Sequence, residues 1–403
     1  MTRPCAISTL GEVCEWITQG PNPKYDKSGH DDFRVLKTKD LYDDIIHYDS
    51  ADKISRNVFS QHLRTELKTG DVLIAIVGQG SINKCNVFEA RVGTRFIFTR
   101  ALGLLRPNKR YLDPYFLKYF LQSSAGKELI DSGIAGTSGQ QIVTTTHLKS
   151  LQIPVPPLPE QQRIVGILDE AFDGLTTATA NAEQNLRNAR ALFESHLQSV
   201  FTQRGKRWEE TTIGECIRFI DYRGKTPVKT ANGIRLITAK NVKMGYLQET
   251  PMEFIASASY RSWMTRGIPE KDDVLFTTEA PLANVAQLDT DEKVAFAQRI
   301  IIMQPEKTKL DKAFLKYLLL SAPVQRSIRA EGTGATVQGI KASLLKLIQI
   351  SFPKALTEQE LIVKKLDSLS EETQRLESIY QQKLAALDEL KKSLLHQAFT
   401  GQL

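Results

Sequence analysis

Cysteine is scarce in this chain, and the four present follow no pattern. Cys5, Cys14, Cys85 and Cys216 show neither C-x-x-C spacing nor matched positions, which excludes a disulfide framework and predicts reduced thiols in a cytosolic protein. The six histidines are scattered, with no H-E-x-x-H pair, so no bound metal is expected. No apolar run approaches the roughly 18 residues of a membrane span, and the first residues contain no apolar leader core. A cytoplasmic location without a membrane partner is therefore expected.

Recognisable catalytic machinery is missing too. Asn22-Pro23-Lys24-Tyr25 resembles the Asn-Pro-Pro-Tyr of adenine aminomethyltransferases, but lysine stands at the third position and no glycine-rich strand–turn–helix precedes it. Gly334-x4-Gly339-Ile340-Lys341 resembles a P-loop with one residue too many before the lysine and no following Ser/Thr for magnesium. The chain reads as non-catalytic, with no cofactor of its own.

What is present is a duplication. Leu112-Asp113-Pro114-Tyr115-Phe116-Leu117-Lys118-Tyr119 returns as Leu310-Asp311-Lys312-Ala313-Phe314-Leu315-Lys316-Tyr317, 198 residues later. Glu160-Gln161 and Leu168-Asp169 return at the same offset as Glu358-Gln359 and Leu366-Asp367. Asp71-Val72-Leu73-Ile74 matches Asp273-Val274-Leu275-Phe276, and Phe201-Thr202 matches Phe399-Thr400. A period this long is a repeated domain-plus-linker, since solenoid repeats run about 20–50 residues. The 403 residues suit two to three domains.

Residues 160–201 and 358–400 each carry apolar or small residues at alternating steps of three and four, the spacing of a coiled-coil seam. Leu168, Leu175, Leu186 and Phe193 mark the first seam, and Leu366, Leu376, Tyr380, Leu387, Leu390 and Leu394 the second. At 1.5 Å per residue each helix is about 63 Å long. Pro156-Pro157-Leu158-Pro159 fixes the start of the first helix. Thr357-x-x-Glu360 predicts a capping box for the second, and Gly205 and Gly401 stand where left-handed caps belong. An alanine-rich seam and a leucine-rich seam of equal length predict pairing with each other; the alternative is that each helix packs on its own domain.

The expected fold is therefore α+β: two domains at 1–155 and 206–356, separated by spacer helices at 156–205 and 357–403 that pair as an antiparallel coiled coil with pseudo-twofold repetition. Strands are expected at 71–77, 96–105, 273–277 and 300–304, and helices at 114–130 and 312–329.

The net charge is +7, yet 160–201 carries −3 and 358–400 carries −2. The residues outside these two long segments therefore hold +12, which suggests that they meet a polyanion. Their loops are rich in the side chains that read base edges and hold phosphates. Candidates in the first half are Lys24, Lys37, Lys39, Gln79, Ser81, Asn83, Lys84, Arg100, Thr137, Ser138, Gln140 and Gln141. In the second half they are Arg223, Lys225, Thr226, Lys240, Asn241, Thr278, Asn284, Arg299, Thr333, Thr336 and Gln338. Thr99-Arg100 answers Gln298-Arg299, and Gly20-Pro21-Asn22-Pro23 answers Gly224-Lys225-Thr226-Pro227.

Ile153-Pro154-Val155-Pro156-Pro157-Leu158-Pro159-Glu160-Gln161-Gln162-Arg163-Ile164-Val165 resembles the junction in specificity subunits of type I restriction–modification systems. So does the order of two variable halves, each followed by a long helix. The second copy departs from it, because Phe352-Pro353-Lys354-Ala355-Leu356-Thr357-Glu358-Gln359 lacks the double proline. The resemblance implies two target-recognition domains, each reading half of a split, asymmetric site in double-stranded DNA. It implies helices that set the spacing and dock modification subunits, which bind S-adenosylmethionine and methylate adenine. It also implies an ATP- and magnesium-dependent restriction subunit. A fused methyltransferase and a scaffold that never touches DNA are the competing readings; S-adenosylmethionine retention and salt-sensitive DNA binding separate them.

Overall fold

The computed structural model describes residues 6–24, 30–136, 141–203, 208–224, 226–297, 299–334 and 337–403. They form two compact units, 1–183 with 382–403 and 184–381. Each long helix, Leu158–Thr202 and Leu356–Thr400, contributes one end to each unit.

The first unit is built on an antiparallel sheet ordered Cys14–Gln19, Leu102–Pro107, Val72–Ala75, Cys85–Val87. Val72–Ala75 is buried at every position, and the strand period of two divides it between two cores. Val72 and Ile74 pack with Phe116, Leu117 and Phe120 of the helical layer. Leu73 and Ala75 face the other way, onto Phe88, Phe96 and Phe98. Phe96 and Phe98 belong to a smaller sheet ordered Asp52–Ile54, His30–Leu36, Arg95–Phe98. The second unit repeats this plan with Ile217–Asp221, Ile300–Pro305, Val274–Thr277 and Val285–Gln287. There Val274 and Phe276 join the helical core, while Leu275 joins the other.

Each predicted single helix is two helices. Pro114–Gln122 and Ser124–Asp131 break at Ser123, and Lys312–Leu320 and Ala322–Ala330 break at Ser321. Both serines are extended, and each Oγ donates to the carbonyl three residues back at 2.6 Å. That side-chain bond competes with helix continuation. The expected strand 96–105 is likewise interrupted by a turn at 99–101.

The junction between domain and long helix is an internal clamp. Gln161 is fully buried, accepts from the Asp113 amide at 2.8 Å and donates to the Tyr111 and Pro156 carbonyls at 2.8 and 2.7 Å. Gln359 makes the matching bonds to Asp311 and Lys309 at 2.8 Å each and donates to the Pro353 carbonyl, one position earlier in the repeat than Pro156, at 2.7 Å. It places the helix start at Leu356, with the Glu358 amide donating to the Ala355 carbonyl. Thr357 thus lies inside the first turn, which corrects the expected capping box. Gly401 has φ of +75° just past the second helix, as a left-handed cap requires; Gly205 lies outside the described residues.

The helices run antiparallel within both units. In the first, Arg163 donates to the Leu403 carbonyl at 2.9 Å; in the second, Arg190 meets Glu377 at 3.1 Å. Leu168 is buried with Leu395 and Ala398, and Leu366 with Leu197 and Phe201. Leu175, Leu186, Phe193, Leu376, Tyr380, Leu387 and Leu394 are half-buried. The seam is shared with the domain helices: Phe172 packs on Tyr119 and Phe193 on Tyr317. Leu390 is 47% exposed and corrects the predicted seam. Lys391 occupies the inward place, its ammonium 5.4 Å from the Phe172 ring centre. No helix among the described residues is long and apolar enough to cross a membrane.

Candidate nucleic-acid interface

Four loops of the second unit meet on one polar surface. Their backbones are tied together. The Thr278 amide donates to the Arg299 carbonyl at 2.9 Å, and the Ile340 amide to the Thr278 carbonyl at 2.9 Å. Thr333 and Gly339 exchange two bonds of 2.9 Å. Arg223, Gly224, Thr278, Glu279, Arg299, Thr333 and Lys341 line a shallow depression of about 370 Å³.

Its charges are arranged in pairs with cation to spare. Arg223 forks onto Asp221 with bonds of 2.8 and 2.6 Å. Arg266 donates to the Asp221 and Arg223 carbonyls at 2.6 and 2.8 Å, so its charge stays beside the pair. Burial pushes the Asp221 carboxyl up, but the Arg223 bonds outweigh it and hold the group below its usual range. Arg299 meets Glu279 at 3.0 Å, both about half exposed. An exposed pair of this kind is weak, and its guanidinium can turn to a base edge or a phosphate. Among the described residues, three arginines and Lys341 face two carboxylates.

The first unit brings the equivalent loops together. The Ile76 amide donates to the Ala101 carbonyl at 3.0 Å, the Val143 amide to the Ile76 carbonyl at 2.8 Å, and the Gly78 amide to the Gln141 carbonyl at 3.1 Å. Gln19 donates to the Arg100 carbonyl at 2.6 Å. Gly20 is required there, since a Cβ would stand 2.4 Å from the Thr99 carbonyl oxygen. Arg100 is exposed and makes no ion pair among the described residues.

This ladder corrects two alignments. Ile76 and Thr278 occupy the same place, so the counterpart of Arg299 is Ala101, and Arg100 corresponds to Gln298, which lies outside the described residues. In the strand before, Gln19 opposes Gly103 and Asp221 opposes Ile301. Gly20 therefore answers Tyr222, not Gly224.

The remaining candidates divide by exposure. Lys24, Gln79, Thr226, Lys240, Thr333 and Gln338 are exposed, and Ser81 and Gln141 are half-buried. Lys84 lies 4.9 Å from the Tyr42 ring centre, and Asn83 donates to Asp131 at 2.7 Å. Lys37 and Lys39 converge on Asp52 at 2.5 and 2.7 Å, at the end of the small sheet where the Thr99 amide donates to the Leu36 carbonyl. Thr137, Ser138, Gln140, Lys225 and Thr336 lie outside the described residues.

Asn241 must be withdrawn as a base reader. It is 1% exposed, and its carboxamide is consumed by the Thr238 amide and by the Gln248, Glu249 and Pro251 carbonyls. Asn284 holds the Val242 carbonyl at 2.9 Å, and Thr278 is 3% exposed; both support the surface from behind. Gln19, Asp221, Arg266 and Glu279 carry no mark in the sequence beyond Asp221 standing two residues before Arg223, and Lys341 stands out there only as the lysine of the rejected P-loop pattern.

Among the described residues no cluster of metal-ligating side chains occurs. Burial pushes the Cys14 thiol up to about 12 and the Cys216 thiol up to about 11, so neither is a nucleophile at neutral pH.

Two domains of one plan, each presenting a divergent polar loop surface and carried on paired helices, define a duplicated recognition module. The sequence matches the family described as the type I restriction modification DNA specificity domain twice, over residues 4–187 and 206–385. The chain belongs to that family: it is a specificity subunit of a type I restriction–modification system, the non-catalytic component, with two recognition domains.

A Methanocaldococcus jannaschii protein bearing the name of a type I restriction enzyme specificity subunit is 25% identical, over 98% of this chain and 93% of its own length. The EcoKI specificity subunit of Escherichia coli is 24% identical over 75% of this chain and 68% of its own. In fold, the chain is similar to a protein solved for a type I restriction–modification system's assembly and conformational transition (TM-score 0.78, 22% identity, all of both chains). It is also similar to the HsdS subunit of Thermoanaerobacter tengcongensis (TM-score 0.60, 21% identity, 100% and 98% coverage).

Proposed function

We propose that each recognition domain reads one half of a bipartite, asymmetric site in double-stranded DNA through its four-loop surface. The recurrence of one loop frame with different side chains carries this reading: Arg223, Glu279, Arg299 and Lys341 in one copy, Gln19, Arg100 and Gln141 in the other. Paired charge over a polar surface suits phosphate contact and base-edge recognition together. The long helices set the gap between half-sites, as half-site spacing follows protein geometry. Their net negative charge disfavours DNA, and exposed Leu192, Leu361, Ile379 and Leu390 offer apolar ground to modification subunits. S-adenosylmethionine belongs to those partners, and ATP with magnesium to a restriction subunit.

Replacing residues 1–155 with the matching segment of a relative should change one half of the methylated site, as read by methylome sequencing. The other half and the gap should persist. A change in both halves at once would refute independent domains.

A further inference from the structure

The repeat supplies its own comparison at the base of each domain. In the second unit Trp208 stands opposite Pro353, its ring packed against both Phe201 and Phe314, each centroid 6.1 Å away, in a triangle whose third side is 5.5 Å. In the first unit the same ribbon register puts Ala6 opposite Val155, 198 residues before Pro353. The two phenylalanines recur as Phe399 and Phe116, 5.3 Å apart. Pro154 likewise stands where the second copy has the buried Phe352.

Two large rings are thus replaced by small residues, and the frame around them is kept. The result is an open cavity of about 960 Å³, walled by Ala6, Phe116, Pro154, Pro157, Ile164 and Phe399. In the second unit Trp208 and Phe352 take up the corresponding space. At the rim, Arg110 is exposed and has no ion pair among the described residues, whereas Glu160 is held by Arg163 at 2.7 Å. Among the described residues, the mouth therefore carries a cation without an ion pair beside apolar walls.

We propose that this cavity is a socket for an aromatic side chain of a modification subunit, flanked by a carboxylate that pairs with Arg110. The proposal rests on the reading above that modification subunits dock on this chain. Aromatic anchors in desolvated pockets dominate protein interfaces, and the second copy shows that the frame accepts an indole packed against both phenylalanines. Because Trp208 and Phe352 occupy the corresponding place in the second unit, the socket distinguishes one end of an otherwise repeated scaffold.

The test is titration of the modification subunit against the full chain and three variants. Ala6→Trp fills the socket from within, as Trp208 does in the second unit; Arg110→Glu reverses the rim charge. Each should weaken assembly at least tenfold, and Ala6→Trp should melt no lower than the parent. Ile379→Lys alters the exposed helix face instead. Unchanged affinity in both socket variants with loss in Ile379→Lys would overturn the socket and keep helix docking; no change in any of the three would overturn both. Should Ala6→Trp fail to fold, Arg110→Glu decides alone, because its side chain is exposed and outside the core.

Discussion

The Tyr317 hydroxyl donates to the Asp367 carboxylate at 2.5 Å, tying the Lys312–Leu320 helix to the second long helix. Tyr119 and Asp169 repeat the contact in the first unit. Above each sits a lysine, Lys316 with its ammonium 4.0 Å from the Tyr317 ring centre and Lys118 4.6 Å from that of Tyr119. Each recognition domain is therefore tied to its helices by a tyrosine–carboxylate bond whose tyrosine is buried and whose carboxylate reaches solvent.

That bond makes stability pH-dependent on the alkaline side. Burial first, and then the carboxylate beside each hydroxyl, push Tyr119 and Tyr317 well above the usual phenol range. A group whose folded pKa is raised contributes stability fully present below the unfolded value, about 10 for tyrosine, and lost as pH rises toward the folded value. Melting of the chain should fall more steeply above pH 10 than that of a Tyr119→Phe/Tyr317→Phe double variant, as followed by circular dichroism. Parallel curves would remove the tyrosines from the account.

The glutamine clamp sets a second expectation. Gln359→Ala leaves the Asp311 amide and the Lys309 and Pro353 carbonyls without partners in a buried place. That should cost about 3 kcal/mol in urea unfolding, since orphaned buried groups cost roughly 1–3 kcal/mol each and water enters part of the gap. Gln359→Glu should be worse, because a carboxylate cannot donate to the two carbonyls. A loss under 1 kcal/mol for either would show that the junction is held elsewhere.

Arg299 separates binding from folding. Its side chain is about half exposed and paired only across the surface to Glu279. Arg299→Ala should weaken DNA binding of the assembled complex by about 1–3 kcal/mol if it reads a guanine. It would instead lower the salt slope by about one if it holds a phosphate. The melting temperature should stay within about a degree. A loss of several degrees with unchanged DNA affinity would assign the arginine to the fold.

Spacing should follow the helix. Four residues inserted after Ala189, about 6 Å of helix, should lengthen the gap between methylated half-sites or abolish modification, with base preference kept in any active variant. Ala189 is buried in the seam, so partner pairing shifts with the insertion. An active variant with the original gap would show that the helix does not measure it.

Repetition, helix periodicity and charge partition are carried by the order of residues alone. Steps of three and four identify a buried stripe wherever the helix lies, and the recurrence of Gln161 as Gln359 and of Tyr119 as Tyr317 signals one frame used twice. Local sequence does not say which side chains end up facing one another. Asn241 and Arg299 look equally suited to DNA in the chain, yet folding consumes the first in four backbone bonds and leaves the second outside. The partner of Arg299 is a glutamate twenty residues away, and its place in the repeat is fixed by ladder bonds one residue off the match in sequence. Leu390 fits the predicted stripe yet turns outward, and Lys391 lies over Phe172 instead. Ala6 is unremarkable until the register sets it where Trp208 stands. Periodicity is a property of one segment and can be read there; pairing, burial and open space belong to contacts between distant segments, which only the tertiary structure makes.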